Sequence, residues 1–179
     1  TEHKDTIEKA ATAIINTKST QIDLTKYENI PTQVKEVSKT GGHLASNLGM
    51  VDTTVALHRV FNSPDDTIIF DVGHQCYAHK LLTGRYDRFD TLRTFGGLSG
   101  FTTRGESEHD ALTAGHSGSA LPIALGIARA NVLDGKDNYV VCVIGDGSFT
   151  NGMVYETLNN CNDEKLKLII VLNDNEMSI

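Results

Sequence analysis

The chain has 179 residues, 39% hydrophobic and 22% charged, which is enough apolar material for a core and shows none of the bias of a disordered protein. A net charge of −7 with no Lys/Arg cluster excludes the basic footprint of a nucleic-acid-binding surface. The apolar runs are far too short to span a bilayer, and charges spread through residues 1–15 are unlike a signal peptide, so no membrane partner is expected.

The predicted elements alternate. Asp5–Ile15 has a helical pattern, and Thr32–Lys39 a second one, stopped by Gly41-Gly42. Val51–Phe61 places Val51, Val55, Leu57 and Val60 at helical spacing, with Pro64 just beyond its end. Thr67–Phe70 reads as a buried parallel strand. Residues 96–110, with Gly96, Gly97, Gly100 and Gly105, break the alternation and read as a mobile loop near a site or an ordinary surface connection. Leu121–Leu133 follows as a helix with Gly135 as its C-cap, then a strand at Tyr139–Ile144, a helix at Met153–Cys161 and a strand at Leu166–Leu172. Strands alternating with helices predict an open α/β domain, a parallel sheet flanked by helices. Three strands are few for a complete sheet, so residues 1–179 are expected to form a single, incomplete domain.

Cys76, Cys142 and Cys161 are odd in number, widely spaced and without a CxxC pair, so neither a disulfide framework nor a zinc ribbon is implied, and a reducing, cytoplasmic setting is expected. Cys142, within an apolar strand, is expected to be a small buried hydrophobe.

Each strand ends in a polar cluster: Asp71-Val72-Gly73-His74-Gln75, Gly145-Asp146-Gly147-Ser148 and Asn173-Asp174-Asn175-Glu176. Open α/β sheets bind ligands outside the carboxyl ends of their strands. In Gly145-Asp146-Gly147 the glycines let a phosphate approach the backbone while Asp146 projects a hard oxygen. Asn175 follows one strand later, and an Asp oxygen with an Asn amide oxygen makes a partial Mg²⁺ shell, completed by phosphate and water. The N–H groups of Gly147 and Ser148, opening the next helix, suit a diphosphate. Taken singly, Gly-Asp-Gly and Asn-Asp-Asn are ordinary turns; their spacing at two strand ends makes the signal. Position 150 holds Thr, so the dinucleotide fingerprint fails, and no Walker A sequence is present. Of the seven histidines, His43, His74 and His116 stand in glycine-containing loops, where a neutral-range pKa suits proton transfer. His58 reads as a helix-face residue, and His3 and His109 as solvent-exposed.

Gly145-Asp146-Gly147 followed some thirty residues on by Asn173-Asp174-Asn175 resembles the signature of thiamine-diphosphate enzymes. Within them, several stretches resemble the N-terminal region of 1-deoxy-D-xylulose-5-phosphate synthases. They include Ser38-Lys39-Thr40-Gly41-Gly42-His43-Leu44-Ala45-Ser46-Asn47-Leu48-Gly49, Asp71-Val72-Gly73-His74-Gln75, His79-Lys80-Leu81-Leu82-Thr83-Gly84-Arg85, Gly115-His116-Ser117 and Leu172–Ile179. The likeness runs from Ser38 to Ile179, and departs at Gly118-Ser119-Ala120 and after Gly96-Gly97-Leu98.

The resemblance implies a diphosphate-binding domain that takes thiamine diphosphate and Mg²⁺. Asp146, Asn175 and the carbonyl of Met177 would hold the metal, and Gly147 and Ser148 would meet the diphosphate. His74 and Gly115-His116-Ser117 would lie along the cofactor, and His43 would face the reacting carbon as the proton-transfer group. It further implies that pyruvate loses CO₂ and joins glyceraldehyde 3-phosphate, an entry to non-mevalonate isoprenoids, in a homodimeric enzyme. A glutamate that activates the cofactor in the family lies on a pyrimidine-binding domain absent from these residues, so this stretch alone is expected to be inactive. Two other readings remain: the N-terminal subunit of a split transketolase, and a non-catalytic module that kept the cofactor pocket.

Overall fold

The computed structural model describes residues 29–162 and 166–174. The expected helix Asp5–Ile15 and the expected metal ligands Asn175 and Met177 lie outside the described residues. The described residues divide into two compact units: residues 29–62 with 74–102, and residues 63–73 with 103–162 and 166–174.

In the first unit, α1 spans Asn29–Thr40, α2 Leu44–Leu48, α3 Val51–Val60 and α4 Tyr77–Lys80, followed by a 3-10 helix at Tyr86–Thr91. Pro31 sits near the start of α1, where its missing N–H costs no helical bond. The helix ends at Gly41, whose φ of +74° lets its N–H reach the Val37 carbonyl at 2.8 Å. Val51, Val55 and Ala78 pack as one buried cluster. Tyr77 meets Phe89 edge-to-face with ring centroids 5.9 Å apart.

The second unit holds the sheet: β1 (Thr67–Phe70), β2 (Val140–Gly145) and β3 (Leu168–Asn173), in the order β1-β2-β3. Both pairings are parallel, with Thr67 opposite Val140 and Val140 opposite Leu168. Every β2 residue from Val140 to Ile144 is buried, the continuous apolar run that a central parallel strand needs. Helices α5 (Ala120–Leu133) and α7 (Gly152–Asn159) cover one face. There Ile69, Val140, Cys142 and Ile144 pack with Leu121, Ala124, Ala128 and Val154. The sequence puts small alanines on the buried stripe of α5, which lets the helix approach the sheet closely. As expected, Gly135 closes this helix: at φ +66° its N–H reaches the Val132 carbonyl, and the Lys136 N–H reaches Asn131 at 2.8 Å. Between β2 and α7 lies the one-turn helix α6, Asp146–Phe149.

Residues 96–110 are ordered by their own bonds. Arg93 N–H donates to the Leu98 carbonyl at 2.7 Å in the first unit, and Thr103 N–H to Asp110 Oδ2 at 2.8 Å in the second. His109, expected in solvent, is half-buried and hydrogen-bonded to Ser63 Oγ at 2.9 Å. His58 does lie on a helix, and its Nε2 meets Nδ1 of fully buried His79 at 2.9 Å.

Candidate functional site

At the strand ends of the second unit, one buried carboxylate organises the loop that carries three expected cofactor contacts. Asp71 extends the ladder, its N–H donating to Val143 at 2.8 Å. Its two carboxylate oxygens accept the backbone N–H groups of Gly118 and Ala120, each at 2.9 Å. These donors stand at the start of α5, where an anion offsets the helix dipole. The chain then turns at Val72, whose φ of 60° is rare for a β-branched residue, with Gly73 N–H returning to the Asp71 carbonyl at 2.6 Å. Such a residue stores about 1–3 kcal/mol of strain, a feature concentrated at functional sites.

The Gly115-His116-Ser117 segment is tied to the segment after β2. Ser117 Oγ donates to Ser148 Oγ at 3.0 Å, and the Asn151 side-chain amide donates to the Ser117 carbonyl at 3.3 Å. Asn151 Oδ1 also accepts the Met153 N–H at 2.9 Å, capping α7. Gly118 is needed at this crossing: its φ is +78°, and an added Cβ would stand 2.5 Å from Asn151 Cγ. Gly115, His116 and Ser117 are all exposed.

Gly145 pairs with Asn173 at the last register position of β2 and β3, so the two strands end level. Half-buried Asp146 follows Gly145 directly, and Asp174 follows Asn173. At Gly145 and Gly147 an added Cβ would meet nothing within 4 Å, so the backbone there is open to close approach. The structure thus brings Asp146, Gly147, Ser148 and Ser117 to one edge, with Asp174 following the neighbouring end of β3. Hard oxygen donors beside open glycine backbone fit a magnesium-bound diphosphate. Among the described residues no cluster of three or more His, Cys, Asp or Glu side chains forms a metal centre. The set expected here, one carboxylate with an amide and a carbonyl, is of another kind. Beneath it, burial pushes the Cys142 thiol up to about 12, with the Asp71 charge adding to the effect, so Cys142 is the inert core residue expected.

The first unit holds the other two expected residues. His43, half-buried, precedes α2, and its ring meets that of buried His74 edge-on, with centroids 5.6 Å apart and planes at 81°. Between their backbones lies Asn47, which the sequence did not single out. Its one signal is a polar residue set in the apolar-flanked run Leu44–Leu48.

Three parallel strands with helices between them, and polar loops gathered at the carboxyl ends of the strands, define an open α/β fold of the transketolase type. Transketolase from Leishmania mexicana superposes with a TM-score of 0.67 at 23% identity, over 83% of this chain and 27% of that one. A transketolase mutant from Pichia stipitis superposes at 0.72 with 18% identity, over 83% and 26% of the two chains. The profile of the family described as 1-deoxy-D-xylulose-5-phosphate synthase matches residues 9–179, and the chain belongs to that family. The synthase of Caldanaerobacter subterraneus subsp. tengcongensis is 62% identical over 146 residues, 82% of this chain and 24% of the relative. 1-Deoxy-D-xylulose-5-phosphate synthase 2 of Geobacter sulfurreducens is 60% identical over 142 residues, 79% of this chain and 23% of the relative. The chain thus spans about a quarter of the length of the curated relatives it matches.

Proposed function

We propose that this chain is the diphosphate-binding part of a 1-deoxy-D-xylulose-5-phosphate synthase, a thiamine-diphosphate- and Mg²⁺-dependent transferase. The reaction joins pyruvate to glyceraldehyde 3-phosphate with loss of CO₂. The observation that carries this reading is the level ending of β2 and β3 at Gly145 and Asn173, in a chain of that family. Asp146, with Asn175 and the Met177 carbonyl, holds Mg²⁺. Gly147 and Ser148 receive the diphosphate through open backbone and a hydroxyl already aligned by Ser117. Gly115, His116 and Ser117 line the cofactor, with Asp71 holding their loop. When bound, the cofactor supplies the electron sink for decarboxylation and carbon–carbon bond formation. His43 moves a proton at the reacting carbon, and His74 stands against its ring. Both units belong to one diphosphate-binding domain of a cytoplasmic homodimer; among the described residues no helix is long and apolar enough to cross a membrane.

The test uses the complete protein, with pyruvate and glyceraldehyde 3-phosphate as substrates. One CO₂ should be released per 1-deoxy-D-xylulose 5-phosphate formed, and His43→Ala should lower kcat by about 10²–10⁴-fold. Two-carbon ketol transfer without CO₂ release would mark a transketolase instead. Undiminished turnover in His43→Ala would remove its role.

A further inference from the structure

Asn47 is only 1% exposed, yet its side-chain amide is fully occupied. Its Nδ2 donates to the carbonyls of His43 at 2.8 Å and of His74 at 2.5 Å. Its Oδ1 accepts the Tyr77 N–H at 2.9 Å. A single rigid amide therefore bridges the two histidine-bearing segments, which lie 27 residues apart in sequence at the His74 bond. Tyr77 supplies a second brace. It is 1% exposed, and its hydroxyl faces the backbone of His43 and the side chain of Arg93. The chain passes directly over this phenol: at Gly42, with φ +148°, an added Cβ would lie 2.7 Å from Tyr77 Oη. His43 is thereby held through its carbonyl by Asn47, with the Tyr77 hydroxyl packed beneath the neighbouring Gly42.

We propose that Asn47 and Tyr77 are positioning residues that fix His43 against His74 for proton transfer, without touching substrate themselves. The proposal rests on the reading of His43 as the proton-moving group. A purely architectural role would have the same bonds hold the fold while leaving the placement of the His43 ring to other contacts. The two differ in what small changes do. Asn47→Asp keeps the shape and the acceptor for Tyr77 N–H but loses both donations to the histidine carbonyls. Tyr77→Phe keeps the packed ring and loses only the hydroxyl.

The experiment pairs crystal structures of both variants of the complete protein with steady-state kinetics and calorimetric titration of thiamine diphosphate. The His43 ring should shift by about 1 Å relative to His74, with kcat reduced about a hundredfold and KM little changed. Cofactor affinity should stay within about threefold, since the metal and diphosphate ligands are other residues. Rings that keep their 5.6 Å separation in both variants would overturn the proposal. So would a displaced ring with full turnover in a protein that His43→Ala inactivates. If Asn47→Asp does not fold, Tyr77→Phe decides alone by the same measures. If His43→Ala itself is fully active, the proton-transfer reading falls, while the ring displacement still shows whether Asn47 and Tyr77 set the geometry.

Discussion

Gly118 shows how a single backbone position can constrain this site. Its positive φ of +78° and the 2.5 Å approach of Asn151 Cγ to any Cβ leave room for glycine only. Gly118→Ala is expected to lower stability by about 2 kcal/mol through local strain, read as a lower denaturation midpoint at unchanged m-value. It should also weaken the Asn151–Ser117 bond and so loosen the loop that carries His116. An unchanged midpoint would mean that the crossing of these two segments relaxes freely. A sequence reading finds this glycine only as a departure from the family pattern. The clash partner lies 33 positions away, beyond any local signal.

Asp71 acts at the scale of elements, joining the end of β1 to the start of α5. Asp71→Ala would leave the buried Gly118 and Ala120 N–H groups without their acceptor. The expected cost is about 2–4 kcal/mol, measured by chemical denaturation, a lost cap combined with an unsatisfied buried donor. A loss below about 0.5 kcal/mol would show that water replaces the carboxylate there. The larger elements were legible in the sequence. The strand at Thr67–Phe70 has the expected bounds, while the strands expected at Tyr139–Ile144 and Leu166–Leu172 run Val140–Gly145 and Leu168–Asn173. Continuous apolar runs reveal buried parallel strands, but their ends are set by pairing register. The helices α2 and α4, of five and four residues, escape a sequence reading because so short a segment shows no period, whereas the helix expected to open at Gly147 and Ser148 is present as α6.

At the scale of the whole molecule, the residues proposed to meet ligands are easier to find in the sequence than those that hold them in place. Glycines flanking Asp146 and the paired strand ends mark the proposed diphosphate site by type and spacing. The braces Asn47, Asp71 and Asn151 each bond at least one backbone group 27 to 49 residues away, and no local pattern marks those bonds. In the proposed function, a cation at the ends of β2 and β3 links this chain to the cofactor's diphosphate. Calorimetric titration of the complete protein with thiamine diphosphate, with and without Mg²⁺, decides whether it does. Binding should require Mg²⁺ and should weaken at least about tenfold in Asp146→Ala. Equal affinity with the metal chelated, and in Asp146→Ala, would contradict it.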